Sequence, residues 1–172
     1  MSDIQRARHT LATYVDTSNA QAEGSETYRL IGTGVESLSY EFNPEDEQKF
    51  YINQESATTI LKSYAPSFSA QFAAIEDDEA IDWAENAIVN QPTGNSARTF
   101  VLTVMMWNEG TSTHSGQYRA VRRKYTFKPA SAGGDAGDLE YEIEFSSAGD
   151  KELGWATIDS TTHYPSFTPD SN

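Results

Sequence analysis

Eight consecutive residues, Asp138-Leu-Glu-Tyr-Glu-Ile-Glu-Phe145, alternate without a break: Leu139, Tyr141, Ile143 and Phe145 are apolar, whereas Glu140, Glu142 and Glu144 are acidic. A period of two puts the two sets on opposite faces of a strand, one packed and one wet. Folding Asp138–Ser146 back on Tyr118–Lys128 makes a hairpin around the glycine-rich Pro129–Gly137, with Gly133, Gly134, Asp135 and Gly137 at its tip. A turn centred near Gly133 sets Lys124 opposite Glu142, Arg122 opposite Glu144, Tyr125 opposite Tyr141 and Phe127 opposite Leu139. Each such pair contributes about 0.2 to 1 kcal/mol, and together they fix a register. At roughly 3.4 Å per residue the ribbon is about 30 Å long. An isolated ribbon is not stable in water, so it needs another sheet, from its own chain or from a neighbouring subunit.

The rest of the chain is also mostly β in pattern. Tyr28–Ile31 and Val35–Phe42 read as strands joined by Gly32-Thr-Gly34, Asn43–Lys49 as a turn and loop, and Phe50–Ile52 as a short strand. Ala57–Tyr64 and Ser67–Ile75 follow, the latter with Phe68, Ala70, Phe72 and Ala74 on one side. Asp77–Gln91 is the one helical pattern: Ala80, Ile81, Ala84, Ala87 and Ile88 form a stripe, and Glu76–Glu79 crowd the positive end of the helix dipole. Ala97–Trp107 and Leu153–Ile158 complete the strands. Residues 1–26 are polar without a sustained period and read as an N-terminal arm, 27–159 as the β domain, and 160–172 as a loose C-terminal tail. The expected fold is an antiparallel β-sandwich or barrel carrying one packed helix.

Composition narrows the chemistry. At 172 residues one domain is expected, and the apolar share of 37% makes a thin core. The longest strongly apolar stretch, Phe100–Trp107, is far short of a membrane span, and Met1–Asn19 lacks the apolar region of a secretory signal, so a soluble protein is expected. There is no cysteine, which excludes disulfides and thiolate chemistry. His9, His114 and His163 lack metal-ligand spacing and read as surface residues. Phosphate-binding glycine loops, a nucleophile elbow and a calcium loop are all missing. The carboxylates Glu140, Glu142 and Glu144, about 7 Å apart along the strand, have a separation some glycosidases use. Pairing with Arg122 and Lys124 would keep them ionised and favours a structural role. No cofactor is expected. With 12 Lys+Arg against 26 Asp+Glu the net charge is −14, which repels nucleic acid.

Several segments taken together resemble the major tail tube proteins of long, non-contractile-tailed phages, the type infecting Gram-positive hosts. They are Tyr28–Pro44, Tyr51-Ile-Asn53, Ala57–Phe68, Gly133–Gly137 and Gly149–Gly154, within about 28–159. The resemblance implies a non-enzymatic virion protein made in the host cytoplasm. Six copies would close into a ring by joining sheets edge to edge, and rings would stack into a hollow tube. Implied partners are further copies of the chain, the tape-measure protein inside the tube, and the tail terminator and distal tail protein at its ends. DNA would only pass through, without adhering. The loop 43–56 resembles the ring-to-ring contact, with Asn43, Glu45, Asp46, Tyr51 and Asn53 expected to touch the adjacent ring. Two other classes fit the residues: a carbohydrate- or receptor-binding β-sandwich, and a glycan hydrolase using the acidic ribbon.

Overall fold

A computed structural model describes residues 6–18 and 24–171. Along the chain it contains β1 (Leu11–Asp16), β2 (Tyr28–Leu30), β3 (Pro44–Lys49), β4 (Thr58–Tyr64), β5 (Ser67–Ala73) and α1 (Glu79–Asn90). Then come β6 (Arg98–Glu109), β7 (Tyr118–Gly133), β8 (Glu140–Ile158) and β9 (Pro165–Pro169). One antiparallel sheet runs β2-β1-β6-β7-β8-β5, with β9 also paired to β8, and β3 and β4 form a separate hairpin. The fold is therefore mainly β and barrel-like with a single packed helix, as the alternation implied. Between β2 and β5 the chain crosses the open side in an extended path: Ile31 N–H donates to Thr13 O at 2.8 Å, Ala73 N–H to Gly34 O at 3.0 Å, and Glu41 and Ser67 exchange two bonds of 2.9 Å.

The sheet serves a core on each face. On the odd-numbered face Val15, Val101, Tyr125, Phe127, Tyr141, Ile143 and Phe145 meet Phe68, Phe72 and the apolar stripe of α1. Phe145 stacks on Phe68 with centroids 4.4 Å apart, and Trp83 meets Phe127 edge to face at 4.9 Å. The even-numbered face holds Ala12, Tyr14, Phe100, Leu102, Val104, Ala120 and Ala156, covered by Tyr28 and Phe167. Opposite Lys124, the three residues Ala148–Asp150 interrupt the ladder between Arg123↔Lys151 and Tyr125↔Ser147. A net excess of two residues bends the ribbon yet preserves which face each side chain takes, because the strand period is two.

Asp78 caps α1, accepting from Ala80 N–H at 2.9 Å and Ile81 N–H at 3.2 Å, and Gln91 ends it in the left-handed region at φ 43°.

Four expectations are corrected. Within the presumed N-terminal arm, Leu11–Asp16 is an inner strand with every residue from Ala12 to Asp16 buried. Its sequence lacks alternation because both of its faces are covered. Residues 1–5 and 19–23 of that arm lie outside the described residues. In the presumed tail, Pro165–Pro169 pairs with β8; Asn172 lies outside the described residues. Gly154 permits that docking, since a Cβ there would lie 2.2 Å from Thr168 O.

The segment 35–42 is extended but forms no strand, whereas 44–49 is one and Phe50–Ile52 lies at its turn. Finally, the β7–β8 register differs: Phe127 faces Phe145, Tyr125 faces Ser147, Lys128 faces Glu144, Ser131 faces Glu142, and Arg122 faces Glu152. Pro129 does not end β7; a bulge between Pro129 and Ser131 absorbs it and the strand continues to Gly133. The turn is displaced to 134–139, where Gly134 at φ 149° leaves no room for a Cβ, which would lie 1.8 Å from Asp138 O.

Because β1 lines both cores, a chain lacking residues 1–26 is expected to lose its cooperative thermal transition, followed by circular dichroism. A retained sharp melt would show that β1 is dispensable.

Candidate assembly surface

The β3–β4 hairpin stands apart from both cores. Every residue of β4 is exposed, and in β3 only Glu47 is even partly covered. Its two strands pair from Pro44↔Tyr64 to Lys49↔Thr58, with an irregularity at Glu45/Asp46. Ionic and polar contacts within it are local: Lys62 Nζ reaches Glu47 at 3.0 Å, and Ser63 Oγ donates to Glu45 at 3.1 Å. Apolar side chains nevertheless project into solvent. Ile52 at the tip is 103% exposed, Phe50 68% and Phe42 62%, and Ile60, Leu61 and Tyr64 are exposed as well. A two-stranded ribbon of this kind is at best marginal in water, and exposed apolar residues gathered on one element mark a candidate contact site.

The residues expected at a ring-to-ring contact separate into two groups. Tyr51 and Asn53 lie at the exposed tip, and Glu45 and Asp46 on the exposed shaft. Asn43 sits at the base instead, in the left-handed region at φ 43°, and its amide donates to Ala65 O at 3.0 Å and to Ser67 Oγ at 2.9 Å. These bonds tie the base of β3 to the start of β5. Sequence reading overlooked Phe42, Phe50, Ile52, Ile60 and Leu61. Adjacent apolar residues such as Ile60-Leu61, which must point to opposite faces, were the available signal that β4 has no single packed side.

The acidic ribbon also divides. Glu142 accepts from Ser69 Oγ at 2.9 Å and Glu144 pairs with Lys128 at 2.9 Å, both on the open face of β8, with Glu140 beside them and exposed. The expected partners lie elsewhere. Lys124 Nζ lies 4.7 Å from the centre of the Phe100 ring. Arg122 is buried at 4% side-chain exposure, and its guanidinium reaches Glu26 at 2.6 Å and Glu152 at 2.5 and 2.6 Å. The Phe100 and Phe167 rings flank it at 5.1 and 4.9 Å. Arg122 thus holds the segment before β2, β8 and β9 together within the even-face core. The hairpin-tip residues Gly133, Gly134, Asp135 and Gly137 form the β7–β8 turn region, exposed throughout.

Titration shifts report packing. Burial pushes the Tyr125 hydroxyl up to about 12 and raises Tyr28 and Tyr40 as well, so these phenols stay neutral in the core. Arg119 clasps Asp170 with two bonds of 2.8 and 2.7 Å, which holds that carboxyl below its usual range. Among the described residues, no cluster of three or more His, Cys, Asp or Glu is placed to hold a metal, and no helix is long and apolar enough to cross a membrane.

No family model matches the sequence, and no curated protein matches it. Solved structures do match in fold. A chain in the tail of an empty gene transfer agent particle, refined helically with C6 symmetry, superposes with a TM-score of 0.55 at 15% identity, over 87% of this chain and 98% of that one. The corresponding match in the virion of the native gene transfer agent has a TM-score of 0.54 at 15% identity, with coverage of 87% and 98%. A chain from the tube-terminating cap of the anti-feeding prophage gives 0.52 at 9% identity, covering 89% of this chain and 93% of that one. The three share the whole architecture rather than a fragment. This chain therefore has the fold found in those tail and tube assemblies.

Two outcomes test the clasps. Arg122→Ala leaves buried Glu26 uncompensated and is expected to lower unfolding stability by about 3 to 5 kcal/mol in urea titration. A loss below 1 kcal/mol would mean that the pair contributes little. For Asp170 the folded-state pKa is depressed, so its contribution is present above the unfolded value near 3.9 and is lost as pH falls through the lower folded value. Hydrogen exchange should then show β9 losing protection as the pH drops below about 4, with Asp170→Asn removing that acid step.

Proposed function

We propose that this chain is a structural subunit of a tail tube. Six copies close into a ring, rings stack into a hollow tube of a virion tail, and the β3–β4 hairpin carries contacts between rings through Glu45, Asp46, Tyr51 and Asn53, with Asn43 setting its angle. The observation that carries this reading is the hairpin: a two-stranded projection with exposed apolar side chains on β4 and at its tip, packed against neither core among the described residues. Likeness over nearly the full chain to tail and tube chains, one of them from a particle refined with C6 symmetry, supports it. The tape-measure protein inside the tube, the terminator and distal tail proteins at its ends, and DNA in transit complete the proposed partnership. The narrower assignment to non-contractile tails of phages infecting Gram-positive hosts rests on the sequence resemblance alone. So does synthesis in the host cytoplasm.

Charge fits such a conduit. A ring of six chains at −14 each carries about 84 net negative charges, and acidic faces such as that of Glu140, Glu142 and Glu144 would keep DNA from adhering where they line the channel. The same charge opposes assembly, so contacts between copies must outweigh it.

Negative-stain electron microscopy of the concentrated protein is expected to show rings or hollow fibres, and deletion of 44–64 to leave a folded, unstacked chain. Raising ionic strength should promote assembly, since screening weakens repulsion between acidic copies. A monomer at every attainable concentration and salt, by analytical ultracentrifugation, would overturn the reading.

A further inference from the structure

The hairpin tip, Phe50-Tyr-Ile-Asn-Gln54, is an uncharged stretch in a chain of net charge −14. A second uncharged feature lies elsewhere on the molecule. A groove of about 390 Å³ opens beside the C-terminal half of α1 and the 3-10 turn Gly94–Ala97. Trp83 and Phe127 form its floor, and Asn86, Asn90, Pro92 and Asn95 form its rim. None of its lining residues is charged, and none comes from the hairpin.

We propose that the Phe50–Gln54 tip of one copy seats in this α1 groove of a second copy. The contact deepens the tube reading and rests on it, since it names the surface that receives the hairpin. Three properties support the match. Copies of like charge approach most readily where the touching side chains carry no carboxylate to be desolvated, and the residues of the tip and of the groove lining meet that condition, with Glu55 and Asp82 at their margins. Phe50 and Ile52 offer apolar side chains to an aromatic floor, while the asparagine amides, each with donors and an acceptor, suit the polar backbone of a turn.

The third property is symmetry. Tip and groove are different patches on one chain, so their contact is heterologous and, in a stack that does not close on itself, leaves free tips at one end and free grooves at the other. Hairpin-to-hairpin contact would instead be self-complementary and would stop at a dimer. The seven residues of β4 extend the tip by about 24 Å, at roughly 3.4 Å per residue, enough to reach another molecule.

The chain contains no cysteine, so engineered pairs report without background. Ile52→Cys and Asn90→Cys alter exposed side chains and are placed on separate chains, one bearing a small tag. The two are mixed, allowed to assemble and mildly oxidised. The expected result is a mixed disulfide dimer on a non-reducing gel, formed by the majority of assembled chains and abolished by omitting either partner. Normal assemblies without that dimer would overturn the groove assignment while leaving the tube reading intact. Predominant linkage of Ile52→Cys to itself would do the same. If neither wild-type chain nor variants assemble at any concentration or salt, the tube reading fails and this contact fails with it.

Discussion

Burial of β6 on both faces governs the architecture. The run Phe100-Val-Leu-Thr-Val104 has no wet side: Val101 points into the helix-covered core and Phe100, Leu102 and Val104 into the other. A sheet with both faces apolar needs two covers. The single helix supplies one. For the second the chain draws on what lies near its two ends, Tyr28 after β1 and Phe167 on β9. Arg122 secures both, since its carboxylate partners come from the segment before β2 and from β8 while its flat guanidinium lies between Phe100 and Phe167. A charge so deeply placed is tolerable because two carboxylates and two ring faces replace its lost water.

The body closed in this way still leaves single apolar side chains such as Val89 and Leu139 exposed, but the hairpin packs against neither core, and among the described residues every position of β4 is open to solvent. The acidic and polar residues of β3 solvate the strand on both sides, which keeps the projection extended rather than collapsed on the body. On and beside the hairpin, Phe42, Phe50, Ile52, Ile60 and Leu61 are exposed together, which is the kind of surface a monomer buries when it can. The sequence thus places apolar residues in two cores of one sheet and a further group on a ribbon that packs against neither.

Much of the interior was legible from local patterns. The alternation over 138–145 and 67–75 gave the correct buried face for Tyr141, Ile143, Phe145, Phe68, Ala70 and Phe72, though Leu139 falls in the turn and is exposed, and the acid-capped stripe gave α1 to within two residues at its start, because each of these elements has one wet side. Elements with two similar sides were the ones misread. β1 is buried on both faces and looked like an arm; β3 is wet on both and looked like a loop. Register failed for a different reason. Pro129 and three following glycines suggested a long loop, whereas a bulge carries the strand past the proline and shortens the turn to Gly134–Leu139. Moving the turn changes every cross-strand partner at once, so Arg122 passed from a surface ion pair to the centre of a core.

That shift also bears on the candidate surface. Had Arg122 and Lys124 faced Glu144 and Glu142, the ribbon's open face would be largely neutralised. With Arg122 drawn into the even-face core and Lys124 over Phe100, only Lys128 is seen to answer the row of Glu140, Glu142 and Glu144 among the described residues. The open face is left net acidic beside the serines and glutamine of β5. Such a face cannot form a close contact with its own copy without desolvating carboxylates, which costs several kcal/mol for each ion. It is therefore suited to water, and under the proposed tube reading it would face the channel while contacts between copies fell to the uncharged tip and to strand edges. Placing the arginine inside thus leaves the row of Glu140, Glu142 and Glu144 with less compensating charge than the expected register would have given it.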